Sequence, residues 1–328
     1  MVHHSGMSFS SVFSGLLLGL GLLAGPAAWS QAFSFTALGD LPYGPDAKAG
    51  PPYRALIAAI NRSQPAFSIH VGDIKSGSTV CSDEEFKRQW DHFARFEAAV
   101  VYTPGDNEWT DCHRPNNGGY DPEERLQALR KLFFTPGRSL GQKPLALQSQ
   151  SALMPAYPAF VENQRWMHQQ VMFATVHLVG GGNQWDKREP RSQAEFKRRE
   201  QANVAWLRDS FAQAKAQGAR AMVVAMQANP LGLLNLFGRI ASDSGFHASI
   251  NEALLPLASE AAFPVLLIHG DTHTFRWDSP FGHPGQSLRP LMRLEVPGGQ
   301  DVRAVRVQVD LGQPQPFSVS LIEAEKVE

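Results

Sequence analysis

The residues best suited to chemistry in this 328-residue chain are four aspartates, each preceded by a glycine. Asp40, Asp73, Asp106 and Asp271 all close apolar runs, as in "FSFTALGD" and "LLIHGD". The glycine and aspartate content predicts roughly one such pair by chance. Carboxylates that meet in one place repel one another unless a cation neutralises them. If the four turns converge, they predict a divalent metal site. The alternative is that the Gly-Asp pairs are ordinary turns that bind no ligand.

Apolar runs and helical stretches alternate along the chain, which indicates how the turns come together. The clearest predicted helix spans 192–217, with Phe196, Val204, Leu207 and Phe211 at helical spacing. Strands are predicted at 33–38, 66–72, 98–104, 168–180, 219–226 and 263–269. This order is typical of an α/β domain, in which distant side chains meet at the carboxyl ends of the strands.

Near the C-terminus the pattern changes to that of antiparallel strands. The segments "LMRLEV", "VRAVRVQVDL" and "FSVSLIEA" alternate polar and apolar residues, with turn residues between them. We expect these three segments to form antiparallel strands at an edge of the sheet.

Residues 1–32 are predicted to be a signal peptide rather than part of the fold. Leu17–Ala24 is an apolar core too short to cross a bilayer, and Ser30–Ala32 has the small residues of a cleavage site. An uncleaved anchor is the alternative, because no Lys or Arg precedes the apolar core. The mature chain, 33–328, is predicted to be one secreted or periplasmic domain without a transmembrane span.

The composition argues against one class of partner, and the cysteines predict one covalent link. A net charge of −1 and a pI near 6.8 give no basic field, so nucleic acid is not an expected partner.

Cys81 and Cys112, the two cysteines of the chain, each follow a Gly-Asp turn and are predicted to pair after export. Two free thiols are the alternative, and the oligomeric state is left open.

In order along the chain, "GD", "GD", "GDNE", "MQANP" and "HGDTH" resemble the motifs of calcineurin-like metallophosphoesterases. The match extends over nearly all of 33–328. The resemblance implies a four-layer α/β/β/α sandwich and a two-metal site where a metal-activated water attacks phosphorus. By motif position it implies metal ligands at Asp40, Asp73, Asp106 and His273, with Asp73 between the two ions.

Several motif positions depart from the family pattern, and the departures have a chemical direction. Pro42, Gln227 and Asp271 each stand where the family has a ligand histidine. The donor set is therefore rich in oxygen, which favours Mn, Mg or Ca over Zn. The predicted ligands are Asp73, Asp106, Gln227 and Asp271 for the principal ion, and Asp40, Asp73 and His273 for a weaker second ion.

Asn107 stands where the resembling family has a catalytic histidine, and an amide cannot protonate a leaving group. We expect Asn107 to orient a phosphoryl oxygen, with Asp73 as the other catalytic residue, and we expect substrates that have good leaving groups. Candidates for another proton donor are His70, His113 and His269.

Three further polar residues near the motifs have predicted roles. Glu108 is expected to orient its neighbours. Lys75 and Asn183 are candidates for binding the substrate, although a solvated lysine and an ordinary turn asparagine are the plainer interpretations.

Three functions are compatible with these features. The first is a metal-dependent hydrolase of a small phosphorylated substrate, with mono- and diesterase activity both open. The second is a catalytically impaired protein that binds Ca or a phosphorylated ligand on the same fold. The third is a hydrolase that uses the metal-activated water on other substrates.

Overall fold

The computed structural model describes residues 1–4, 6–7, 32–185, 189–233, 240–280 and 291–324. The apolar core of the predicted signal peptide lies outside these residues. Within the described part of the chain, no helix is both long enough and apolar enough to span a membrane. The strands are β1 Phe33–Leu38, β2 Phe67–His70, β3 Ala99–Tyr102, β4 Leu140–Gly141, β5 Gln148–Ser149, β6 Gln164–His168, β7 Val171–Thr175, β8 Ala221–Ala225, β9 Val265–His269, β10 Arg276–Asp278, β11 Met292–Glu295, β12 Arg303–Val309 and β13 Phe317–Glu323. The helices are α1 Asp46–Arg62, α2 Asp83–Phe93, α3 Pro122–Phe133, α4 Gln150–Leu153, the single turn α5 Gly180–Asn183, α6 Pro190–Ala216 and α7 Leu255–Glu260, which continues a π-helix at His247–Leu254.

The strands form two sheets. The first has the order β13-β12-β1-β2-β3-β4, and the second has the order β10-β11-β9-β8-β7-β6-β5. Strands β1, β2 and β3 are parallel neighbours, as are β7, β8, β9 and β11. Their carboxyl ends therefore lie at common sheet edges, where the Gly-Asp turns begin.

Apolar side chains alternate between the two faces of each sheet, and this alternation produces the layers. Phe35, Ile69 and Val101 of the first sheet point into a core between the sheets, which they share with Val223 and Ile268 of the second. Burying side chains of this size contributes roughly 1.5–3 kcal/mol each.

Helices cover the two outer faces. The first sheet is covered by α1, α2 and α3 through Leu56, Phe93 and Leu129. The second is covered by α6 and the π-helix, through Trp206 of α6 and Ile250 of the π-helix. The predicted four-layer α/β/β/α sandwich is confirmed.

Two predictions from the apolar pattern need correction. The strand expected at 168–180 is shorter: it is β7, Val171–Thr175, because Gln169 and Gln170 have positive φ and form the turn from β6, and the strand ends at Thr175. The three C-terminal strands do not lie together: β12 and β13 pair antiparallel in the first sheet, whereas β11 is parallel to β9 in the second. Period-two alternation identifies a strand but does not identify its partner.

Candidate metal centre

The Gly-Asp turns follow β1, β2, β3 and β9, and backbone hydrogen bonds hold them together. Asp40 N–H donates to Gly72 O over 3.0 Å, and Gly270 N–H donates to Gln227 O over 3.0 Å. Gly72 has a φ of +90°, and any side chain on it would collide with the backbone of Gly105, 2.5 Å away at its nitrogen. Glycine is therefore required where the turns after β2 and β3 cross.

Asp73 is held in a triangle of hydrogen bonds with two other side chains. Tyr43 Oη donates to Asp73 Oδ2 over 2.7 Å, and Asn107 Nδ2 donates to the same oxygen over 2.8 Å. Asn107 Nδ2 also donates to Tyr43 Oη over 2.7 Å, while Asn107 N–H donates to Asp73 Oδ1 over 3.2 Å. The structure thus adds Tyr43 to the site, whereas the sequence drew attention only to Asp73 and Asn107.

Asp40 forms a pair with His273 and a second contact with the last Gly-Asp turn. His273 Nε2 lies 3.5 Å from Asp40 Oδ1, and Asp271 N–H donates to both Asp40 oxygens over 3.1 and 3.2 Å. Asp40 is fully buried and His273 is half-buried. The first and last motifs of the chain therefore meet at the contact between Asp40 and His273.

The carboxylates of Asp106 and Asp271 both approach Gly180 closely. A methyl group on Gly180 would lie 2.6 Å from Asp106 Oδ1 and 2.8 Å from Asp271 Oδ1. Gly180 N–H donates to Gln227 Oε1 over 2.6 Å, and Asn229 N–H donates to Asp271 Oδ2 over 2.9 Å. The absence of a side chain at Gly180 lets both carboxylates lie close to its backbone, which the sequence did not indicate.

Burial raises the pKa of the carboxyl groups in this cluster. It raises the pKa of Asp40 to about 6, and it raises the pKa of Asp106 to about 7 with the help of the Asp111 and Asp271 charges. The pKa of Asp73 lies well above its ordinary value because of burial and the charges of Asp106, Glu108 and Asp40. Negative charge accumulates here that the neighbouring protein groups do not balance.

Glu108 binds the two turns that carry Asp73 and Asp106. Its Oε1 accepts from Asp73 N–H over 3.1 Å, from Gly105 N–H over 2.7 Å and from Tyr102 Oη over 2.8 Å. Glu108 is fully buried. Its carboxylate fixes the backbone of both turns.

The two candidates for substrate binding lie in the protein interior. Lys75 is 1% exposed, and its Nζ donates to Ser76 O over 3.1 Å. Burial lowers the pKa of Lys75, and the nearby charges of Glu108 and Asp73 partly offset this effect. Lys75 is therefore an interior cation beside the cluster and not a solvated turn residue.

Asn183, the second candidate, is fully engaged by protein groups. Its Nδ2 donates to Gly245 O over 2.8 Å and to Glu200 Oε2 over 3.3 Å. Its Oδ1 accepts from Arg199 and from Val179 N–H. These contacts hold α5 and α6 together.

Two of the three histidines considered as proton donors are neutral interior groups. Burial lowers the pKa of His70 to about 3 and that of His269 to about 4. Neither is an imidazolium at neutral pH. His113 is exposed and its Nδ1 lies 2.6 Å from Thr110 O.

The predicted disulfide between Cys81 and Cys112 is present, and it lies directly behind Asn107. The two sulfur atoms lie 3.6 and 3.8 Å from Asn107 O. The bond ties the segment after β2 to the segment after β3, so it supports the backbone that carries Asn107.

The donor chemistry of the cluster fits a hard divalent cation. Within the described ranges, no three His, Cys, Asp or Glu side chains are arranged closely enough to hold a metal ion as they stand. The available donors are mainly carboxylate and amide oxygens, which Mg, Mn and Ca prefer, and Asp106 and Asp271 each bring a carboxylate oxygen close to Gly180. Two carboxylates are thus offered at one place, and water or neighbouring donors can supply the remaining ligands.

Comparison with known proteins identifies the fold. No protein-family model matches the chain, and no curated protein matches its sequence. Among solved structures, GAP50, the anchor in the inner membrane complex of Plasmodium, is similar with a TM-score of 0.53 and 13% identity, over 90% of this chain and 86% of that one. A dimetal phosphatase from Danio rerio gives a TM-score of 0.50 and 10% identity, over 89% and 99%. A purple acid phosphatase from yellow lupin (Lupinus luteus) seeds gives 0.46 and 13%, over 90% and 54%. The chain has a metallophosphoesterase-type fold.

Proposed function

We propose that this chain is a divalent-metal-dependent phosphoester hydrolase that acts in a secreted or periplasmic setting. The observation that supports this function best is the meeting of four strand-end aspartates in one largely buried cluster. At neutral pH, ionised carboxylates whose pKa values are raised destabilise the fold unless a cation neutralises them, and such groups are common at functional sites. The disulfide is consistent with an oxidising compartment.

The residues proposed to hold the principal cation are those around Gly180. Asp106 and Asp271 supply carboxylates, Gln227 supplies an amide oxygen, and Asp73 Oδ1 lies on the neighbouring turn. Asp40, Asp73 and His273 are the donors proposed for a second ion, whose binding competes with the hydrogen bonds that they already make. A bound divalent cation would neutralise phosphate charge and lower the pKa of a water molecule.

The chain's own residues restrict which esters can react. Asn107 Nδ2 is a hydrogen-bond donor that can turn from Tyr43 and Asp73 to a phosphoryl oxygen, but it holds no proton to transfer. His70 and His269 are neutral and buried, so they do not replace the missing acid. Because general acid assistance is worth about 10²- to 10⁴-fold, substrates with good leaving groups should react best.

The test is hydrolysis of an aryl phosphodiester and an aryl phosphomonoester by the full chain, with Mn, Mg and Ca in turn. Asp73→Asn should abolish metal-dependent turnover. Asp91→Asn, an exposed substitution on α2, is the matched control and should leave turnover unchanged. Turnover that survives both Asp73→Asn and a chelator would contradict the proposal.

A second function is supported by specific observations. Asp40, Asp73 and Asp271 already accept protein hydrogen bonds, Pro42 removes a ligand, and GAP50 is described as an anchor. The chain would then bind Ca or a phosphorylated ligand without hydrolysing it. Tight Ca binding combined with no turnover of either aryl ester under any of the three metals would favour this function over the first.

A further inference from the structure

The position of Tyr43 bears on how many ions the site can hold. Tyr43 lies three residues after Asp40, and its ring packs edge-to-face on His273 with 5.0 Å between the ring centres. Its hydroxyl donates to Asp73 Oδ2 over 2.7 Å. The phenol therefore contacts two of the three side chains that a second ion would require.

The hydrogen bonds to Asp73 leave little capacity for two ions. A carboxylate oxygen has two lone pairs. Asp73 Oδ2 accepts from both Tyr43 and Asn107, and Oδ1 accepts from Asn107 N–H. One lone pair remains on Oδ1, which is enough for one cation and not for a bridge between two.

Two basic side chains lie beside the carboxylates that a second ion would need. His273 Nε2 lies 3.5 Å from Asp40 Oδ1, and the interior Lys75 lies near Glu108 and Asp73. A second ion would have to displace the contact between His273 and Asp40. The carboxylates of Asp106 and Asp271 both lie close to Gly180.

We infer that Tyr43 takes the place of the second metal ion, so that this chain binds one divalent cation, beside Asp106 and Asp271, instead of two. The inference rests on the proposed function, because it assumes that the cluster binds a metal. It makes Tyr43 a positioning residue: the phenol holds Asp73 and Asn107 in a fixed relation that a second ion would otherwise impose.

The experiment is a titration of the metal-free full chain with Mn²⁺ by calorimetry, followed by electron paramagnetic resonance of the loaded protein. Wild type should bind one ion and give the spectrum of isolated Mn²⁺. Tyr43→Phe should bind two ions and give the spectrum of a magnetically coupled pair. Tyr102→Phe, which removes the phenol from Glu108 instead, is the matched control and should bind one ion.

The outcomes separate this inference from the proposed function. Two coupled ions in wild type would overturn the inference alone, and an absence of binding in wild type would overturn both. If a folded Tyr43→Phe variant binds one ion, the phenol is not what excludes the second ion. That result would also overturn the inference. Tyr43→His, which offers a nitrogen ligand at the same place, is the second variant and should bind two ions if Tyr43→Phe does not fold.

Discussion

Raising the pH of the metal-free protein from 4 to 8 should lower its free energy of unfolding through Asp40 and Asp106. Their pKa values are about 6 and about 7 in the folded chain, against 3.8 for an ordinary aspartate. A group whose pKa is raised by folding stabilises the folded chain below its unfolded pKa. That stabilisation is lost as the pH rises through the folded pKa. The loss should therefore fall between pH 4 and about pH 7.

The magnitude follows from the sizes of the two shifts. Each pKa unit corresponds to about 1.4 kcal/mol, so Asp40 accounts for about 3 kcal/mol and Asp106 for about 4 kcal/mol. The charges of both raise the pKa of Asp73, which titrates in the same cluster, so the contributions are not independent. We expect a loss of at least about 4 kcal/mol, which for a chain of this size lowers the melting temperature by roughly 8 °C.

The assay is thermal and urea unfolding with chelator present at pH values from 4 to 8. Asp106→Asn should lose less stability over this range than wild type, and Asp91→Asn, the exposed control, should follow wild type. At pH 8, Mn²⁺ at a free concentration of about a hundred times its Kd should raise the free energy of unfolding of wild type by about 2.7 kcal/mol. Parallel pH profiles for wild type and Asp106→Asn would refute the reasoning.

Three further predictions test individual parts of the site. Asn107→His should accelerate hydrolysis of esters with poor leaving groups by about 10²-fold and flatten the dependence of rate on leaving-group pKa; an unchanged dependence would contradict the role of Asn107. Gly180→Ala should weaken Mn²⁺ binding at least tenfold by calorimetry, because its methyl group would meet two aspartate oxygens, whereas Gly232→Ala, with open space around it, should not. Replacing both Cys81 and Cys112 by serine should lower the free energy of unfolding by about 4 kcal/mol in urea, since the bond closes a loop with a sequence separation of 31; equal stability with and without the bond would contradict this.

The parts of the fold that the sequence predicts are those governed by local pattern. The Gly-Asp turns were recognisable because each follows an apolar run, and parallel strands bring such turns to one edge. The placement of β11 in the second sheet was not predictable from alternation, because alternation specifies the faces of a strand and not its neighbour.

The same limit explains what was missed at the site. Lys75 was expected in solvent because it follows a turn, but Glu108, 33 positions later in the sequence, lies close enough to act on its charge. Tyr43 carried no signal beyond its nearness to Asp40, since a tyrosine after Pro42 is as well suited to packing as to hydrogen bonding. Contacts between distant turns, rather than residue types, decide both roles.

The substitutions along the motifs are best understood together, through charge and proton supply. Under the proposed function, Gln227 and Asp271 stand where the motifs that the sequence resembles have imidazoles, so the site would be harder and more negative and would favour a cation such as Mg or Mn. Asn107, at the motif position where the resembling family has a catalytic imidazole, would offer phosphate a hydrogen-bond donor but no proton donor. These two changes act on different steps, because the first governs binding of the cation and the phosphate, whereas the second governs departure of the leaving group. A site built in this way should bind many phosphate esters and hydrolyse chiefly those whose leaving groups need no proton. The leaving group, more than the affinity for phosphate, then decides whether a given ester is a substrate or only a ligand.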